Sequence, residues 1–238
     1  MDSTKRLFGV LFWVFTAALF AGAVVLAFAF TPDEATMGAV QKIFYVHLPV
    51  AINSFLACFV NFVASLVFLW QRRRTWDDLA TAAAQVAVVL LTIVLATGMI
   101  WGRSAWGHWW TWSPRLTLSL VLWLLYVVYL VIRPSIPSAQ RRAVVAAVYG
   151  AVAFLDVPLV YLSTRLMPQD VHPTEVVLAP SMRLTLGLWF LPVTLLTVGL
   201  IIVRRRALAL QSQTRAVLAA AENDGPVPAT IHPTGGVL

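Results

Sequence analysis

Six long apolar stretches, nearly free of charge, constrain this chain more than any other feature. A bilayer core about 30 Å thick needs about 20 helical residues at about 1.5 Å each. The stretches are Leu7–Phe30, Leu48–Trp70, Leu79–Trp101, Leu116–Ile132, Ala143–Leu162 and Leu184–Val203. Their strongly polar members are few: Asn53 and Asn61 in the second, Gln85 in the third and Asp156 in the fifth, while Pro192 interrupts the sixth. No stretch alternates polar and apolar residues, so a transmembrane β-barrel is excluded. The chain is 60% hydrophobic and 11% charged, whereas soluble domains run about 45–50% apolar and about 25% charged. A soluble enzyme and extended disorder are both excluded. The expected fold is an all-α integral membrane bundle of six transmembrane helices over residues 1–206. A tail, 207–238, follows and is expected to be disordered from about Glu222.

Orientation follows from Lys and Arg. With the N-terminus cytoplasmic, twelve of the 17 basic residues fall on inner segments, among them Arg72–Arg74 and Arg204–Arg206. Lys42, Arg103, Arg115, Arg165 and Arg183 fall outside. The positive-inside rule favours this arrangement, with both termini cytoplasmic. The net charge of +7 therefore reads as a topology signal and not as a nucleic-acid surface. The first stretch, at 24 residues, exceeds the apolar core of a signal peptide and is read as a retained helix. Cys58, the single cysteine, rules out an intrachain disulfide.

The second outer segment, Gly102–Arg115, carries the chemistry. With Trp101 just before it, five of the chain's ten tryptophans crowd here, at 101, 106, 109, 110 and 112. An interfacial belt needs one or two indoles per helix end. Five in twelve residues, with Gly102 and Gly107 permitting bends, suit a flat aromatic platform for a ligand. Ser113-Pro114 is a favoured helix start, an N-cap followed by proline at the first position. Arg115 then sits in a first turn where the helix dipole disfavours a cation. That placement suits an anionic partner or a lipid phosphate.

Three of the four histidines, His47, His108 and His172, also fall on outer segments; His232 lies in the tail. His47 is expected just before the second span, with Pro49 opening that helix. Neutral imidazole binds zinc, copper or iron. Zinc usually wants four ligands including Cys or carboxylate, and the outer segments hold no Cys. Two imidazoles beside a wide aromatic surface suit a haem better, because the porphyrin leaves iron only two axial positions. An imidazole ligand also needs its other ring nitrogen held. Asp156 is the one carboxylate within a span, either functional or a hydrogen-bonded interior residue. Asn53 and Asn61 share a helix face and are expected to bond between helices.

The run Trp101-Gly102…Trp106-Gly107-x-Trp109-Trp110-x-Trp112-x-x-Arg115-Leu116-Thr117 resembles the tryptophan-rich WWD signature of haem-handling proteins in cytochrome c biogenesis. Tyr45-Val46-His47-Leu48-Pro49, Val157-Pro158-Leu159-Val160-Tyr161 and Pro180-Ser181-Met182 resemble the six-span CcmC branch. The resemblance covers roughly residues 40–200. It implies haem b held non-covalently at the outer face, with His47 and His172 as axial ligands and Trp106, Trp109, Trp110 and Trp112 against the porphyrin. Arg115 would pair a propionate. It also implies an ABC transporter pair, a small single-span subunit and a membrane-anchored haem chaperone as partners in a bacterial inner membrane. Delivery is expected in preference to turnover chemistry. The family's aspartate is Ser113 here, which preserves an N-cap and loses a charge. Two rivals are a cytochrome b electron-transfer subunit and a proton-coupled transporter using Asp156.

Overall fold

The computed structural model describes residues 3–166, 172 and 178–223. Seven helices make six membrane-capable spans. Helix α1 is Ser3–Val25 and widens into a π-helical turn at Leu26–Phe30. A 3-10 turn, Ala39–Lys42, leads into α2, Ile43–Gln71. Helix α3 is Arg74–Trp106 and α4 is Pro114–Ile132. Helices α5, Ala139–Ala153, and α6, Asp156–Leu166, share the fifth span, and α7 runs Pro180–Asn223. No strand occurs among the described residues.

Small side chains set the packing. Ala57, Cys58 and Ala64 of α2 and Ala80, Ala82, Ala83, Ala84 and Ala87 of α3 are all nearly inaccessible, and these two helices pack together along their length. Lipid tails are as apolar as leucine, so close backbone approach is what favours association in a bilayer. At Gly150 of α5 the approach leaves no room for a methyl, since a Cβ would stand 2.6 Å from Asn61 Oδ1. At Gly199 of α7 a Cβ would meet the Phe12 ring at 2.7 Å. With Phe20 against Trp189 and Thr31 bonded to Thr185 at 2.7 Å, this shows α1 antiparallel to α7. Most of the rest of α1 is exposed apolar surface, such as Val14, Phe15 and Val25, as a lipid-facing helix requires.

Polar links between helices are sparse and local. Asn61 Nδ2 donates to the Ala80 carbonyl at 2.8 Å, as expected between helices, whereas Asn53 bonds its own helix at Pro49. Trp123 Nε1 reaches Thr92 Oγ1 at 2.9 Å and joins α4 to α3. Arg204 of α7 donates to Gln85 of α3 at 2.5 Å. Such bonds average about 0.6 kcal/mol in a bilayer, so packing dominates and the bonds fix register.

Three boundaries differ from expectation. The fifth span is not one helix: it breaks at Phe154–Leu155. Pro158 lacks the N–H that would bond the Phe154 carbonyl, and Val157 N–H takes that carbonyl instead at 3.0 Å. Asp156 therefore opens α6, 7% exposed. Helix α2 begins earlier than expected, at Ile43, so Pro49 is interior and His47 rides on the helix. Helix α3 runs on to Trp106, which leaves only 107–113 irregular in the tryptophan segment. In addition, α7 passes residue 206 without interruption and reaches Asn223. The disorder expected beyond Glu222 concerns residues that, from 224 onward, lie outside those described.

Candidate functional site

At the tryptophan end, α2, α3, α4 and α6 each turn one face toward a shared cavity of about 200 Å3. From α2 come Phe44, His47, Leu48, Ala51 and Phe55, spaced by helical turns. From α3 come Leu91, Val94, Leu95, Gly98 and Trp101, and from α4 Arg115, Ser119 and Leu122. Helix α6 adds Val160 and Tyr161. The floor is aliphatic, and two imidazoles, a guanidinium and three indoles complete the lining. Such an apolar pocket with few convergent polar groups is the usual form of a small-molecule site.

Of the expected residues, His47, His172, Arg115, Trp106 and Trp110 line this one cavity. His172 does so from a bend outside any helix. Trp109 and Trp112 stand apart from the lining, 57% and 76% exposed. Trp112 packs edge-on against Trp110 with ring centroids 5.8 Å apart. His108 is exposed and not in the lining, and His232 lies outside the described residues. Asp156 is not in the lining either.

One lining residue and one residue that touches the lining without belonging to it are not legible in the sequence. Trp101 was counted in the cluster but given no contact, and it lines the cavity edge-on to Trp106 at 5.1 Å. The span Leu79–Trp101 already puts Gly98 and Trp101 one helical turn apart, but helical spacing does not say which neighbour that face meets. Thr97 is the other: its Oγ1 lies 2.9 Å from His47 Nδ1. No sequence pattern pairs residues on two different helices, so that contact is a product of packing.

The turn after α3 is built as the glycine predicted. Gly107 closes the helix at φ +78° and donates to the Arg103 carbonyl at 3.2 Å. Arg103 returns a bond from Nη1 to the Gly107 carbonyl. Gly102 acts differently from the expected bend: it lies within α3, where a Cβ would stand 3.3 Å from the Trp106 ring. Ser113 occupies the N-cap position of α4 with extended backbone, and Pro114 follows. Its hydroxyl makes no capping bond, a departure from the expected N-cap role. Ser113 Oγ, Thr111 Oγ1 and the indole nitrogens of Trp101 and Trp110 are buried without hydrogen-bond partners among the described residues. Buried polar groups are normally satisfied, so this end of the bundle has donors in reserve for something polar.

Among the described residues, no three of His, Cys, Asp or Glu converge on a metal site. The cavity instead offers two imidazoles on an aromatic and aliphatic surface with one guanidinium. That set matches a flat apolar ligand with a metal at its centre and an anionic edge.

The family described as heme exporter protein C matches residues 1–220. The heme exporter protein C of Rhodobacter capsulatus is 32% identical over 219 residues, covering 85% of this chain and 90% of the relative. That of Paracoccus denitrificans is 31% identical over 222 residues, covering 90% and 92%. That of Escherichia coli K12 is 29% identical over 221 residues, covering 88% and 89%.

Proposed function

Since the chain belongs to the heme exporter protein C family, we propose that it handles haem during c-type cytochrome biogenesis. Specifically, it holds haem b non-covalently at the extracytoplasmic end of a six-span bundle and presents it to a membrane-anchored haem chaperone. The haem is cargo. An ABC transporter pair and a small single-span subunit are its proposed partners in a bacterial inner membrane. The work is delivery, not turnover chemistry.

One observation carries this reading: His47, His172 and Arg115 line a single apolar cavity with Trp101, Trp106 and Trp110. The aliphatic floor and the indoles supply binding free energy at about 25 cal/mol per Å2 of apolar surface removed from water. His47 and His172 ligate the iron, and Arg115 pairs a propionate. A bend outside any helix carries His172, so its bond is the one exchanged at handover. An electron-transfer cytochrome b commonly pairs histidines on facing helices, and that placement of His172 does not suit it.

The test is haem retention by detergent-purified protein after reconstitution with hemin. His47→Gly and His172→Gly are each expected to lose haem and to recover part of it with added imidazole. Wild-type haem content and spectrum in both variants would remove the ligand assignment.

A further inference from the structure

We propose that Thr97 is a positioning residue for His47: it holds the imidazole by its Nδ1–H and so presents Nε2 to the iron. This rests on the reading of His47 as a haem ligand.

The hydrogen bonds determine the tautomer. Thr97 Oγ1 lies 2.7 Å from the Ile93 carbonyl and 2.9 Å from His47 Nδ1. A hydroxyl has one proton to give. Thr16, Thr81, Thr92 and Thr197 all give theirs to the carbonyl four residues back, and Thr97 has the same geometry. Its oxygen is then an acceptor toward His47, and Nδ1 must carry the ring proton. In neutral imidazole the lone pair is left on Nε2. A ring nitrogen held in this way fixes ligand orientation and raises ligand basicity.

Packing supports the same role. A Cβ on Gly98 would stand 3.2 Å from His47 Cε1, so α3 meets the ring there with bare backbone. Thr97 and Gly98 together make a seat for the imidazole. One turn further along α3, Trp101 joins the same cavity. A single helix thereby sets both the ligand's orientation and part of the aromatic surface.

The experiment uses the full chain in detergent, loaded with hemin. It reads the rate of haem transfer to excess apomyoglobin and the ferric low-spin EPR spectrum. Thr97→Val keeps the shape and removes the acceptor; it is expected to release haem about tenfold faster with shifted g-values. Thr97→Ser is expected to restore both readouts. In a His47→Gly background without added imidazole, where no ring is left for Thr97 to hold, Thr97→Val is expected to have no further effect on residual haem retention. Should Thr97→Val not fold, Thr97→Ala removes the same hydroxyl without added bulk and carries the same expectations. Wild-type rate and spectrum in Thr97→Val, alongside haem loss in His47→Gly, overturn the positioning role and leave the ligand reading standing. An equal effect with and without His47, or no rescue by serine, also overturns it. Normal haem retention in His47→Gly overturns the ligand reading itself.

Discussion

Arg133, at the C-terminal end of α4, grips Asp77 of α3 through both guanidinium nitrogens, each 2.8 Å from a carboxylate oxygen. The two side chains are only 13% and 15% exposed, at the end of α3 opposite Trp101 and Trp106. Burial works against the Arg133 charge, and Asp77 together with Tyr129 more than offsets it, so its pKa is raised. Deleting one partner strands the other charge in a poorly solvated place. Asp77→Asn and Arg133→Met are each expected to cost about 2–4 kcal/mol, and the double variant less than their sum. Thermal unfolding in detergent checks this; additive losses would show that the pair is not coupled.

Gly150 of α5 lies against Asn61 of α2 with no room for a Cβ between them. Gly150→Ala places a methyl 2.6 Å from Asn61 Oδ1 and 3.1 Å from Ser65 Oγ. Overpacking of this kind costs about 1–3 kcal/mol. Gly22→Ala, with nothing within 4 Å of the new methyl, is the control and is expected to be neutral or slightly stabilising. Equal melting temperatures for the two would refute the close approach.

The five clustered tryptophans divide into two groups. Trp101, Trp106 and Trp110 line the cavity, while Trp109 and Trp112 do not. Under the proposed function, Trp101→Leu or Trp110→Leu weakens hemin binding about tenfold, as expected for a lost buried aromatic surface. Trp109→Leu and Trp112→Leu leave it within about twofold, because those rings are mostly exposed and lose little burial. A hemin titration of the four variants decides it. Uniform losses would mean that Trp109 and Trp112 also contact haem, as the resemblance implies for them.

Ser113 occupies a capping position without a capping bond. An N-cap serine changed to alanine usually costs about 1 kcal/mol. Here the hydroxyl is buried and unpartnered, so Ser113→Ala is expected to change stability by less than about 0.5 kcal/mol, since an unmade bond has nothing to lose. A loss of a full kcal/mol in chemical unfolding would show that the hydroxyl does cap α4.

The hydrophobic pattern is legible in the sequence because it is local in the chain. Leu7–Phe30 and Leu184–Val203 each declare a span without reference to any neighbour. Breaks and extensions are less so. The fifth span reads as one apolar run although Pro158 lies in it, because hydropathy does not register the backbone bond a proline removes; the break is closed locally, Val157 N–H taking the Phe154 carbonyl. His47 reads as lying just before the second span because Pro49 reads as a helix start; in the bundle α2 runs through Pro49, which neighbouring groups in a membrane protein can allow by re-satisfying the backbone group a proline frees.

Composition and spacing alone determined that this chain is a six-span helical membrane protein whose polar chemistry gathers near one cluster of indoles. Those properties depend on transfer free energy and helical rise, which each segment carries by itself. Tertiary structure decided which indoles share a cavity, which oxygen holds the His47 ring, and where His172 meets it. These depend on how α2, α3, α4 and α6 pack, and close contact between distant segments is set by the shape of side chains on both partners at once.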